Sequence, residues 1–144
     1  IGYSVTTNDL IENPHLRFAK GEYDTGVIIS YDVESSIFNG YNPTLLEGAV
    51  CINPITWTLE EDEAPKEKSL GSCFFAGTNY NIVSNFASAK VDKKRGVIKC
   101  DSINPDDFYI DAMFEKGNYH VFDIALYYND LKENAKKRVG AFWK

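Results

Sequence analysis

The 144-residue sequence predicts an α/β protein in which a parallel sheet is covered by a packing helix at the C-terminal end. Three observations predict it. The run TGVIISYD, residues 25–32, is compact and β-branched behind a glycine, the pattern of a strand buried on both faces. Strand and helix signals alternate along the chain instead of gathering in blocks of one kind. The C-terminal segment places Ile124, Tyr128, Leu131, Ala135, Val139 and Phe142 at intervals of three and four, with Asn129, Asp130, Lys132, Glu133, Lys136 and Lys137 on the other face. The length suits one domain, which buries about two-thirds of the surface its unfolded chain exposes.

In chain order, IGYSV (1–5) reads as a short strand, and the polar TTND that follows offers Thr7, Asn8 or Asp9 as a helix cap. Asn13-Pro14 stops that helix. After TGVIISYD the texture changes between Val33 and about Leu70 to Gly, Pro, Asn and Ser with isolated aromatics, an ordered excursion over the sheet edge. Phe86 to Val91 and Val97 to Cys100 are β-prone and flank DKKRG (92–96), a hairpin signature. The final helix begins near Asp123, pairs Glu133 with Lys137, and carries Lys136, Lys137 and Arg138 toward the negative end of its dipole. There is no internal repeat and no low-complexity tract.

Composition narrows the function. Fifteen basic against 21 acidic residues give a net charge of -6, with no clustered basic face for a phosphate backbone, so nucleic acid is excluded as a partner. No apolar run approaches the 18 or so residues of a spanning helix, so no membrane span is expected. The run Glu60 to Glu63 is contiguous, without the alternate spacing of a calcium loop, and reads as a solvated loop. Cys51, Cys73 and Cys100 are odd in number and far apart, which excludes CxxC metal or redox motifs and favours buried thiols. Aromatic residues are heavy at 14%. Ile1 opens straight into apolar residues with no Met and no leader pattern, which reads as a piece of a longer chain.

Two histidines limit acid/base chemistry to two places. His15 follows Pro14 in a charged loop and reads as solvated. His120 lies in GNYHVFD, between a Gly-Asn turn and the last helix, where an imidazole is either a capping residue or a base.

The phrases IGYSVTTNDL, DTGVIISYD, AVCINPITWT, APKEKSLGS and GNYHVFDIALYYNDLKENAKKRV run in the same order as the second half of a bacterial family of lipase-like α/β-hydrolases filed as a domain of unknown function. The resemblance covers nearly the whole chain, and CINPITW and NYHVFD are its most specific parts. It implies that residues 1–144 are the C-terminal part of one α/β-hydrolase-like domain, with 33–102 a cap-like insertion, and that His120 is the base of a serine triad. The departure from the pattern is that no G-x-S-x-G occurs; Ser30 and Ser72 lack the flanking glycines, so the nucleophile belongs to an upstream segment. The acid is Asp9 or Asp32, with Asp9 preferred because the family varies at the place of Asp32; their structural readings are a helix cap and a strand-end turn. Asp123 shares a helical face with His120 and is read first as an N-cap. Asn53 and Trp57 line the pocket or pin the excursion, and Tyr119 is pocket wall or core.

The resemblance thus implies an esterase or lipase acting on a small ester or lipid, with no cofactor or metal, partnered by the N-terminal half of its own domain in a bacterial cell envelope or secreted setting. The alternative is a non-catalytic lipid- or carbohydrate-binding module that uses the aromatics between Tyr31 and Trp57. As a fragment, the chain is expected to show an exposed apolar edge on its first strands.

Overall fold

The computed structural model describes residues 3–109 and 113–144; Ile1 and Gly2, the start of the expected IGYSV strand, lie outside the described residues. Strand β1 (Val5–Thr6) runs straight into helix α1 (Thr7–Glu12). Thr6, not one of the three residues after it, is the cap: its Oγ1 accepts from the Asp9 amide at 3.1 Å, and Asp9 Oδ2 accepts from the Thr6 amide at 2.8 Å. The helix ends at Glu12 with Asn13 as its C-cap, ahead of Pro14 as expected.

The expected parallel α/β-hydrolase-like sheet is not formed. Among the described residues the strands instead make three small sheets: β1 with β3 (Ala49–Val50); β2 (Val33–Ser35), β7 (Val97–Cys100) and β6 (Lys90–Asp92) in that order; and the hairpin of β4 (Ser72–Ala76) with β5 (Asn79–Val83). Only the β2–β7 pairing among these is parallel. The correction has its origin in TGVIISYD. A strand buried on both faces needs a ladder on each side, whereas this run makes a single bridge, Phe18 to Ile28, and leaves Val27 to Ile29 half-buried. Regular pairing starts at Val33, just beyond it.

The expected hairpin over 92–96 is present, with Val91 opposite Ile98 and the turn closed by Gly96 at φ 77°. A Cβ on Gly96 would lie 2.3 Å from the Ala49 carbonyl oxygen, so the glycine lets this turn approach β3. The β4–β5 hairpin was not expected; its cue is the two-residue Gly77-Thr78 turn between β-prone runs.

Residues 33–102, expected as a cap-like insertion, pack into the same core as the C-terminal segment. They supply Cys51, Ala87, Val91 and Ile98 to the same core as Tyr119, Leu126 and Tyr127. The buried Glu34 ties the excursion down: Arg95 donates to it from Nε and Nη2 at 2.6 and 2.9 Å, Lys99 Nζ donates at 2.9 Å and Asn42 Nδ2 at 3.1 Å. The same two cations donate to the carbonyls of Gly40 and Phe38. All three cysteines are buried free thiols.

The C-terminal helix is broken at Tyr127 into α2 (Asp123–Leu126) and α3 (Tyr128–Phe142), and of the expected face only the start is covered, with Tyr128 half-buried and Leu131 packed against both cores. Ile124, Ala135, Val139 and Phe142 are exposed, while Asp130 and Asn134 are buried. The reason is specific bonding. Asp130 accepts from Ser69 Oγ at 2.7 Å and the Leu70 amide at 3.0 Å, Asn134 donates to the Glu22 carbonyl at 3.0 Å, and Arg138 donates to the carbonyls of Asp24 and Gly21. Lys137 pairs with Glu22, and Glu133 with Lys136 in place of Lys137. Among the described residues no helix is long and apolar enough to cross a membrane.

Candidate functional site

The site forms where β2 meets the segment leading into α2. Ser35 donates its amide to the Gly117 carbonyl at 2.7 Å, and Tyr119 donates its amide to the Val33 carbonyl at 2.9 Å, so residues 117–119 lie along the outer edge of β2. Gly117, at φ 93°, permits this approach, since a Cβ there would sit 2.9 Å from Ser35 Oγ. The Tyr119 hydroxyl donates to the Ile103 carbonyl, and the rings of Phe74, Phe86, Phe108 and Phe122 pack edge to face or tilted at 5.2–5.5 Å behind the turn. His120 opens the short 3₁₀ turn His120–Phe122, its amide held by Asn118 Oδ1 at 2.9 Å. Asp32 stands immediately before β2, where its carbonyl accepts from the Ile98 amide at 2.8 Å. Residues 88 positions apart are thereby brought into contact.

His120 Nδ1 lies 2.5 Å from Asp32 Oδ1 and 3.0 Å from Asp123 Oδ2. A single Nδ1 proton bonds to Asp32, and Asp123 Oδ2, fully buried, is left with no hydrogen bond of its own among the described residues. Asp123 is held in place by its other oxygen, which accepts from the Val33 amide at 2.9 Å, and by its carbonyl, which accepts from the Tyr31 hydroxyl at 3.1 Å. Thr44 Oγ1 is 3.3 and 3.4 Å from the two Asp32 oxygens and 2.8 Å from Asn42 Oδ1, so its one proton serves one of these acceptors at a time.

The electrostatics follow from burial and crowding of charge. The Asp123 carboxylate first, and that of Asp32 second, hold the His120 imidazole above its usual value, to about 10, with burial opposing them. Burial raises Asp123 from the ordinary carboxylate range to about 8, the facing imidazole pulls it down, and the Asp32 charge adds to the rise. The two groups therefore titrate as a pair. The three ligand-type atoms lie within 4.8 Å of one another. The 2.5 Å gap between Nδ1 and Asp32 is shorter than the roughly 3 Å separating neighbouring ligands around an ion with ~2.1 Å bonds, and it fits a proton. With Asp32 fixing the Nδ1–H tautomer, a neutral His120 presents Nε2 as an acceptor, and among the described residues nothing is hydrogen-bonded to it. The ring is 15% exposed, and the Phe114 ring lies 5.1 Å from it.

Of the sequence-derived candidates, His120 and Asp32 come together and Asp9 does not join them: its carboxylate is committed to Thr6 in the capping box. Tyr119 is core, forming the edge that carries His120. Asn53 is buried, its amide donating to the Ala89 carbonyl at 3.0 Å and its Oδ1 accepting from the Ile55 and Thr56 amides, so it shapes the CINPITW turn. Trp57, at φ 57°, is buried with the Arg138 guanidinium 5.4 Å from its ring. Ser30 and Ser72 are buried, and Ser72 Oγ donates to the Leu126 carbonyl at 2.6 Å. A mainly apolar cavity of about 290 Å³ is lined by Leu10, Phe18, Val50, Cys51, Leu59 and Val91, and none of Asp32, His120 and Asp123 lines it.

Asp123 is the residue that sequence reasoning misplaced. Its spacing from His120 put it on the same face, but α2 has no side-chain cap, and the carboxylate turns back to the imidazole. In comparison with known proteins, the chain matches no family model, no curated protein and no solved structure.

Proposed function

We propose that this chain supplies the general base and the orienting acid of a serine ester hydrolase, His120 with Asp32, acting on a small ester or lipid and on a serine contributed from outside these residues. The observation that carries the reading is the 2.5 Å contact from His120 Nδ1 to Asp32, with Nε2 free of hydrogen bonds among the described residues. An acid that fixes one imidazole nitrogen while the other is left to take a proton is the arrangement of an acyl-transfer triad, and it recurs on unrelated folds, so the absence of a parallel sheet does not bear against it.

In the reaction Nε2 takes the proton of the serine hydroxyl as the oxygen attacks the ester carbonyl, and later returns it to the leaving alkoxide. Asp32 faces the imidazolium and offsets its charge. Because both carboxylates keep the imidazole basic, the free-base form grows as pH rises, and turnover rises with pH into the alkaline range.

The test is His120→Ala in the protein that carries this sequence, assayed on p-nitrophenyl esters and with a fluorophosphonate probe. Turnover is expected to fall by about 10⁶. Unchanged turnover removes His120 from the mechanism, and absence of both turnover and serine labelling in the wild-type protein removes the hydrolase reading.

A further inference from the structure

We propose that Asp123 is a second orienting acid for His120, one that accepts the Nδ1–H hydrogen bond in turn with Asp32; this rests on the reading of His120 as the base. The geometry sets Asp123 apart from a structural residue. It does not cap α2, which has no side-chain cap bond, and its carboxylate is turned away from its own helix. It is gripped by the two neighbours of Asp32, the Tyr31 hydroxyl on its carbonyl and the Val33 amide on its Oδ1. Asp123 is thereby tied at two points to the segment that carries Asp32. The remaining oxygen, Oδ2, is buried, has no hydrogen bond among the described residues, and faces Nδ1 at 3.0 Å, 0.5 Å farther than the Asp32 oxygen.

A buried carboxylate oxygen with no donor is costly and is seldom kept without a use. Here a small rotation of the imidazole carries the Nδ1–H from one acceptor to the other, with no proton leaving the ring. Such a rotation is what the base needs as Nε2 shifts from the serine oxygen to the leaving oxygen, and two acceptors hold Nδ1 through it. Among the described residues, Asp32 and Asp123 are the carboxylates that contact the imidazole; the Phe114 ring lies on another side, on a segment that also carries Glu115 and Lys116. Asp123 is thus a positioning residue.

The experiment compares Asp32→Asn, Asp123→Asn, the double variant and His120→Ala in the protein that carries this sequence, reading kcat and KM on a p-nitrophenyl ester across pH, with ¹⁵N NMR of the imidazole. Asn at 123 keeps the Oδ1 acceptor for Val33 and so the fold. Each single variant is expected to lose about tenfold in kcat with KM unchanged, and the double variant at least about a thousandfold, more than the product of the singles. Asp123→Asn also moves the rising limb of the pH profile, and the imidazole titration seen by NMR, down by about one pH unit. The proposal is overturned if Asp32→Asn alone is as inactive as His120→Ala while Asp123→Asn keeps the wild-type kcat and pH profile. If His120→Ala retains turnover, the base reading fails instead; Asp123 is then decided by the NMR titration, and an unmoved imidazole in Asp123→Asn overturns its role.

Discussion

At His120 Nδ1 two carboxylates face one proton, and the competition sets how stability depends on pH. A group whose folded-state value lies above its unfolded one binds its proton more tightly when folded. Its contribution is full below the unfolded value and is lost as pH rises through the folded one. Asp123 loses it between the ordinary aspartate value of 3.8 and about 8, and His120 between 6.5 and about 10. Both act in the same direction, so the thermal midpoint is expected to decline from acid to alkaline pH, and Asp123→Asn to flatten the part between pH 4 and 8; parallel melting curves for the two proteins count against the pairing. Glu34 presents the opposite case, a buried carboxylate with every oxygen engaged by Arg95, Lys99 and Asn42. Glu34→Ala strands two cations and frees the excursion at Gly40 and Phe38, and urea unfolding should show a loss of about 3–5 kcal/mol.

At the scale of elements, α3 shows what apolar spacing can and cannot reveal. The spacing placed a helix correctly, but it counts side chains and not their partners, and the face with bonds to make was the polar one. Val139→Lys, on the face expected to be buried, should change stability by no more than about 0.5 kcal/mol, because Val139 is 58% exposed. Asn134→Leu should cost about 1–3 kcal/mol, since the Glu22 carbonyl and the Arg138 guanidinium each lose a partner. Equal effects in denaturant titrations would reverse the assignment of faces. Much of the local chemistry was legible: the TTND helix start to within one residue, the Asn13-Pro14 stop, and the turn ending at Gly96, though not the Gly77-Thr78 turn. TGVIISYD was not, because burial on both faces depends on neighbours that no window of sequence contains. The site was legible by half. GNYHVFD drew attention to His120, but the choice between Asp9 and Asp32 turned on an 88-residue separation that only the β2 edge closes.

Across the whole molecule, the two cores meet at Leu131 of α3, and the helix is fastened to the 20–24 loop by Lys137 and Arg138. Gly96→Ala tests how the parts are held together. At φ 77° and against the Ala49 carbonyl, the added methyl forces the β6–β7 turn from β3, and about 2 kcal/mol of stability should be lost by denaturant titration, more than Gly77→Ala loses in open space.

The stacking of Arg138 on Trp57 also gives the protein an optical reporter. The two tryptophans have opposite surroundings, Trp57 5% exposed beneath the guanidinium and Trp143 80% exposed at the helix end. Emission should therefore divide into a blue-shifted component that acrylamide cannot quench and a red-shifted one that it quenches fully. If α3 lifts from the loop before the sheets open, the blue component will move to the red while the far-ultraviolet circular dichroism is still unchanged.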